Sequence, residues 1–399
     1  MKKNIEALIG ECSGCSACSV ICPVDAIQVK LDEKGFYKAF INSDKCVNCG
    51  LCTDVCMKKQ IHNANDIING KVYAAQSKNL DVIKTCTSGG IAYEMSVHII
   101  NDNNLVVGVE YDYETNSART IIVDNMEDLE KLKGSKYIQS YTEEAFNKVI
   151  DIAKKDTDKR FLVFGTPCQI YGLAKVLDKL NMRERFVLVD LFCHGVPSSL
   201  VWKHYLDKIG AKGKKLNSVK FRDKTIGWHN FVMEIKGNNY EYKKSSEADL
   251  FYHTFFDNVL FAGSCFDCKV RKEKTKADIR LGDFWGKRYQ EREDGVSAVL
   301  VCTQRGEKFF SKLDSVQVLD TNSVEEVLGS QSVYTYTTQK LCSNAFEDLI
   351  STKDLAYTVK QYRKKFPIKK KIKLSLKEAT SYLPDNMRAA LRKVYKSRG

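Results

Sequence analysis

Fifteen cysteines in 399 residues set the chemistry open to this chain. Two runs stand out. Cys12, Cys15, Cys18 and Cys22 follow a Cys-x2-Cys-x2-Cys-x3-Cys pattern that ends in Pro23, and Cys46, Cys49, Cys52 and Cys56 repeat it with Met57 in place of the proline. Three thiolates spaced by two residues wrap one corner of a 4Fe–4S cubane. The chain then crosses over, so that the fourth cysteine of each run ligates the other cluster. This rule assigns Cys12, Cys15, Cys18 and Cys56 to one cluster and Cys46, Cys49, Cys52 and Cys22 to a second. Structural zinc also uses Cys-x2-Cys pairs, but it needs four ligands in two pairs rather than two runs with a lengthened third gap. The proline turns the chain and ligates nothing, so Met57 leaves both ligand sets complete. Such clusters relay single electrons, and chemistry on a substrate must lie elsewhere in the chain.

The elements that hold these thiols are short. Residues 26–30 and 35–41 read as strands joined by Leu31-Asp-Glu-Lys, a hairpin suited to a small cluster module over residues 1–62. Beyond it, Thr85-Cys-Thr-Ser-Gly-Gly precedes an apolar-periodic helix from Ile91. A turn of this kind leaves backbone N–H groups open to an anion, though from six residues alone a simple capped helix is the favoured reading. Residues 105–110 and 119–123 read as paired strands, and a helix is expected at about 142–155. Strand 160–165 ends in Thr166-Pro-Cys-Gln and a helix follows. Strand 185–192 ends in Cys193-His-Gly-Val-Pro before another helix. Two strand–helix units in succession imply parallel strands. Cys168 and Cys193 would then share the carboxyl edge of the sheet, where α/β proteins build sites. Cys265-Phe-Asp-Cys268 adds a pair at chelating spacing, so four cysteines can converge; each alone reads as an ordinary buried thiol. Cys302 and Cys342 read as core or surface thiols, and Cys86 as either.

Composition narrows the function further. With 43% apolar residues, 10% aromatic residues and five prolines, the chain is neither disordered nor a small disulfide scaffold. Its longest apolar stretches, such as 186–193, fall far short of a bilayer span. No apolar run near the N-terminus suits a signal peptide, so a cytoplasmic protein is expected, with its thiols kept reduced. The net charge is +13, yet residues 360–399 alone hold 14 Lys and Arg against Glu378 and Asp385. The remainder is close to neutral, which argues against a nucleic-acid-binding body. The basic tail (346–399) alternates lysines with apolar residues at 369–377 and reads as a short basic amphipathic helix at 385–396. It suits peripheral contact with an anionic membrane or an acidic protein.

Several stretches carry a family resemblance: Ser88-Gly-Gly, Gly134-Ser-Lys-Tyr, Gly165-Thr-Pro-Cys-Gln, Cys193-His-Gly-Val-Pro, Phe221-Arg-Asp-Lys-x2-Gly-Trp, Cys265-x2-Cys and Gly282-Asp-Phe-Trp-Gly. In this order they resemble the coenzyme F-420 hydrogenase/dehydrogenase beta-subunit family, fused to an N-terminal dicluster ferredoxin domain. The resemblance implies an α+β and α/β multidomain protein. Its ferredoxin-like domain is followed by a flavin-binding region (63–155) and a catalytic region (156–345) with parallel strand–helix units. It implies a flavin, FAD in preference to FMN, and a third 4Fe–4S cluster on Cys168, Cys193, Cys265 and Cys268. Ser88, Gly89, Gly90, Lys136 and Tyr137 map to the stretches that hold flavin. Lys136 near the flavin would steady negative charge, and His194 would either relay a proton or hydrogen-bond a cluster sulfur or backbone carbonyl, the simpler role. Arg222, Lys224 and Trp228 would clamp an anionic substrate.

The expected function is an iron–sulfur flavoprotein oxidoreductase acting on a small organic substrate. Its electron carrier would be ferredoxin-like or a reduced deazaflavin. The alternatives are a coenzyme F-420-dependent beta subunit that feeds a partner and a non-catalytic electron-transfer subunit. Fold analogy alone leaves the substrate open.

Overall fold

The computed structural model describes residues 4–60, 64–67, 70–271, 274–331 and 339–381, with residues 383 and 387. The expected hairpin is present: β1 (Ile27–Leu31) pairs antiparallel with β2 (Tyr37–Ile41), Ile27 lying opposite Ile41. Its turn is fixed by Asp32, whose carboxylate accepts the N–H groups of Lys34 and Phe36 at 3.0 and 2.9 Å. The inward residues Ile27 and Ala39 close on Ile5, Cys18 and Cys52.

The remaining strands are β3 (Asn65–Asp66), β4 (Lys71–Ser77), β5 (Leu105–Asp112), β6 (Ser117–Val123), β7 (Ser140–Tyr141), β8 (Phe161–Gly165) and β9 (Phe186–Leu191). After these come β10 (Leu216–Asp223), β11 (Val232–Gly237), β12 (Tyr240–Ser245), β13 (Lys274–Thr275), β14 (Ile279–Asp283), β15 (Ser297–Val301) and β16 (Val316–Asn322). Nine of them form one sheet in the order β16-β4-β15-β14-β9-β8-β5-β6-β7. Its centre, β5-β8-β9-β14, is parallel. β8 and β9 read as nearly unbroken apolar runs because both faces of a parallel sheet are covered.

The parallel expectation therefore holds for the centre and not for the sheet as a whole. The pairs β14–β15, β15–β4, β4–β16 and β5–β6 are antiparallel. β4, from the 63–155 region, lies between β15 and β16 from the 156–345 region, so the two regions share one sheet. Such long-range pairing leaves no local mark in the sequence. β10, β11 and β12 make a separate antiparallel sheet. Trp202, Tyr205, Phe221, Phe251, Tyr252, Phe346 and Tyr362 belong to one core beside it.

The helix Pro167–Lys179 ties the sheet to the cluster module. It starts with a capping box, Thr166 and Gln169 bonding reciprocally, and with proline in its first turn. Ile170, Leu173, Ala174 and Leu177 are fully buried along it. Its Gly172 is where the module docks: a Cβ added there would stand 2.8 Å from Ala17 Cβ and 3.0 Å from the Cys15 sulfur. Glycine to alanine in an open helix gains up to about 1 kcal/mol. Gly172→Ala is expected instead to destabilise by about 1–3 kcal/mol through overpacking, read as a lower denaturant midpoint. Gln139 reinforces the junction, donating to Ser13 O at 3.1 Å and accepting the Tyr37 N–H at 2.8 Å.

In the tail, helix Ile368–Ser381 is present, and the expected helix at 385–396 lies outside the described residues. Among the described residues no helix is long and apolar enough to cross a membrane.

Candidate functional site

The structure gathers the cysteines into three sets. In the first, burial, with the neighbouring Cys12 and Cys56, pushes the Cys15 thiol up to about 12. Cys18 is pushed well up by burial and then by Cys15, Cys12 and Cys56. In the second, Cys22, Cys46, Cys49 and Cys52 line one small cavity. Backbone N–H groups point at the sulfurs: Gly14 N–H donates to Cys12 Sγ and Ala26 N–H to Cys22 Sγ, each at 3.3 Å. Grouped buried thiols with amide donors are a donor set that suits iron–sulfur ligation, where a cation offsets the thiolate charge.

The third set unites separate elements. Cys168 lies in the first turn after β8, Cys193 follows β9, and Cys265 lies in the short helix Gly263–Phe266 just before Cys268. Burial raises Cys168, and Cys268, Cys15 and Cys193 raise it further. Cys193 is pushed to about 12 by burial and then by Cys265 and Cys268. Cys15 of the first set is thus an electrostatic neighbour of Cys168. Val270 and Lys274 are fastened from beneath by a fully buried pair: Arg280 donates twice to Asp190, both bonds 2.6 Å, and also to Val270 O and Lys274 O. Thr275 Oγ1 donates to the same carboxylate at 2.7 Å.

All four of these thiols line a cavity of about 1190 Å³, which Ser88, Gly90, Lys136, Tyr137, His194 and Arg222 also line. That exceeds the roughly 300–1,000 Å³ of a site for one small molecule. Ile91 and Ala92 line it too. They stand at the start of helix Ile91–Asn101, where N–H groups have no carbonyl partner within the helix. These features fit a flavin with an anionic moiety.

The expected site residues divide. Gly89 is absent from the described lining. Its N–H donates to Ser297 Oγ at 3.0 Å, and a Cβ there would meet Ala75 O at 2.5 Å, so its role is packing between strands. Ser88 Oγ is turned to Val296 O at 3.0 Å. Lys224 is likewise outside the lining, with Nζ donating to the carbonyls of Ile83, Ser88 and Asp294 at 2.5, 3.0 and 2.7 Å. Trp228 is fully buried, stacked on Trp285 at 4.8 Å and donating to Asp283 at 2.7 Å. Neither Lys224 nor Trp228 lines the cavity.

Arg222 does. One nitrogen donates to Asp283 at 2.5 Å and the Tyr137 hydroxyl stands beside the guanidinium, while Nε and Nη2 are buried with no hydrogen-bond partner of normal geometry among the described residues. The guanidinium lies over the rings of Phe231 and Trp285, at 4.7 and 5.4 Å. Lys136 donates to Lys131 O and Lys133 O, and burial pushes it down to about 7. His194 bonds the Asn258 side chain at 2.7 Å and stacks on Phe255 at 4.5 Å, and burial holds it down near 3.

Phe231, Tyr252, Phe255, Asp283 and Trp285 also line the cavity and were not singled out as ligand contacts. The aromatic run at 251–256 was the available signal. Cys86 lines it as well, its thiol pushed up to about 11 by burial.

Residues 11–60 match the 4Fe-4S dicluster domain, and residues 158–327 match the C terminus of the coenzyme F420 hydrogenase/dehydrogenase beta subunit. The chain thus carries the C-terminal domain of that beta-subunit family behind an N-terminal dicluster domain. An F(420)H(2) dehydrogenase subunit of Methanosarcina mazei is 26% identical over 328 residues, 77% of this chain and 84% of that protein. The coenzyme F420-dependent sulfite reductase of Methanocaldococcus jannaschii is 23% identical over 80% of this chain, which spans 48% of that longer protein. A chain of the F420-reducing NiFe hydrogenase complex from Methanosarcina barkeri aligns over 76% of this chain and 96% of its own, at 19% identity and a TM-score of 0.45. With that C-terminal domain and the dicluster domain, the chain is an iron–sulfur protein of an oxidoreductase family.

Proposed function

We propose that this chain is a coenzyme F-420-linked electron-transfer subunit, exchanging electron pairs with a deazaflavin in the large cavity and single electrons with a partner through its cysteine sets. The observation that carries this reading is the convergence of Cys168, Cys193, Cys265 and Cys268 on the cavity wall, with Cys15 of the first set beside Cys168. Two of the curated relatives, named for coenzyme F420, favour this over reduction of another organic substrate. A flavin supplies the conversion between hydride and single-electron chemistry.

The chain's own residues supply binding. Arg222 offers its unused Nε and Nη2 donors to a carboxylate or phosphate, a pairing strengthened by charge and by burial. The Phe231 and Trp285 rings hold the guanidinium in place. Arg222→Lys keeps the charge opposite Asp283 but loses the planar fork. It is expected to weaken deazaflavin binding about tenfold or more while iron content stays unchanged. Equilibrium binding of oxidised coenzyme F-420 checks this.

The function is tested on anaerobically purified protein with its flavin, iron and sulfide quantified. Reduced coenzyme F-420 is expected to be oxidised as the iron–sulfur absorption bleaches. Flavin-loaded, cluster-replete protein that leaves the reduced deazaflavin untouched, but accepts electrons from a ferredoxin and passes them to another organic acceptor, would establish the second reading. Flavin-free protein with clusters alone would establish a non-catalytic role in electron transfer.

A further inference from the structure

Helix Ile368–Ser381 sits in the fold the wrong way round for its own composition. An amphipathic helix normally turns its broader apolar face to the core. Here the inward contacts are Leu374, packed against the aromatic core, and Lys370, whose Nζ lies 3.7 Å from the Phe366 ring centre. The broader apolar face points to solvent: Ile368, Ile372 and Leu376, at spacings of four, are 68%, 54% and 62% exposed. They rank with Leu80 and Val47 among the most exposed large apolar side chains of the described residues. Ala379, exposed on the same arc, extends the stripe.

The stripe has a cationic border. Lys369 and Lys373 lie along one side and are exposed, and Lys371 lies along the other. Lys364 and Lys365, exposed at the end of helix Leu355–Lys364 and just beyond it, add charge next to the first turn. An apolar stripe of isoleucine and leucine edged by lysines is the arrangement of a helix lying in a lipid interface. Aliphatic side chains enter the acyl boundary while ammonium groups meet lipid phosphates. A protein partner would have to supply both an apolar groove and acidic walls, whereas an anionic bilayer supplies the two in the same layers.

We propose that helix Ile368–Ser381 is a membrane-surface anchor that seats this chain on anionic lipid, independently of the chemistry in the cavity.

The full chain, with its iron–sulfur absorption intact, is mixed anaerobically with phosphatidylcholine vesicles containing phosphatidylglycerol and with vesicles of phosphatidylcholine alone, then centrifuged. Sedimentation with the anionic vesicles is expected, falling as salt rises from about 0.05 to about 0.5 M. The double variant Ile372→Glu, Leu376→Glu is expected to stay in the supernatant. Lys369→Gln with Lys373→Gln should weaken binding on the order of thirtyfold. Both variants should keep the visible spectrum and melting midpoint of the parent, which separates loss of docking from loss of fold. The proposal is overturned by any of three results: equal binding to neutral vesicles, undiminished binding of the glutamate variant, or no vesicle binding. The last, together with saturable binding of an acidic protein blocked by Ile372→Glu, would reassign the stripe to a protein partner.

Discussion

If the third cysteine set holds a cluster, Cys168→Ser is expected to remove it and to cut the cavity off from the cluster module. The serine hydroxyl is a poor match for iron and stays protonated near neutrality, so the third set falls to three sulfur ligands. Cys168 holds a special place in that set, because Cys15 of the first set is one of the groups that act on it directly. Iron and acid-labile sulfide are expected to fall by about one third. Electron exchange between bound flavin and the remaining clusters should drop by orders of magnitude. Full iron content with unchanged exchange would show that the four cysteines are plain buried thiols. Cys342→Ser is the control. That thiol is buried in the helix Gln339–Thr352, apart from all three sets, and its loss should leave iron content alone.

The second large effect concerns Asp190, which touches no candidate ligand. Its carboxylate receives two Arg280 bonds of 2.6 Å and one from Thr275, all without exposure to water. Asp190→Asn leaves the guanidinium buried without a counter-charge, which typically costs about 3–5 kcal/mol. Arg280 also holds the carbonyls of Val270 and Lys274. The variant is therefore expected to loosen the segment behind Cys265 and Cys268 before the sheet unfolds. Cluster loss at denaturant concentrations where circular dichroism is still native would report this. A single coincident transition at the parent's midpoint would rule it out. The double variant Asp190→Leu, Arg280→Met should recover much of the stability, since a buried pair is weakly stabilising against apolar residues of like volume.

Legibility in the sequence followed the range of the interactions. The two cysteine runs, the hairpin between them and the β8–helix–β9 unit were readable because spacing, turn residues and apolar runs act over a few residues. That Cys168 and Cys193 share a sheet edge followed from the strand-to-helix order alone. The insertion of β4 between β15 and β16 depends on pairing across more than two hundred residues and left no such trace. The substrate-clamp reading of the 221–228 segment was legible only in part. Arg222 faces the cavity, but Lys224 was taken up by three carbonyls and Trp228 by the Trp285 ring and Asp283. Residue type shows that a side chain can bind an anion. Whether backbone oxygens have already claimed it depends on the loops that close around it.

The pairing of Trp228 with Trp285 has an optical consequence. The chain has three tryptophans, and these two form a stacked pair of which Trp285 borders the cavity. An isoalloxazine or deazaflavin bound there absorbs where indole emits, so occupancy should be legible as quenched ultraviolet fluorescence. Trp202, bonded to Tyr111 in the aromatic core, contributes background light that a Trp202→Phe variant would remove. The protein thus carries an intrinsic, label-free gauge of ligand loading.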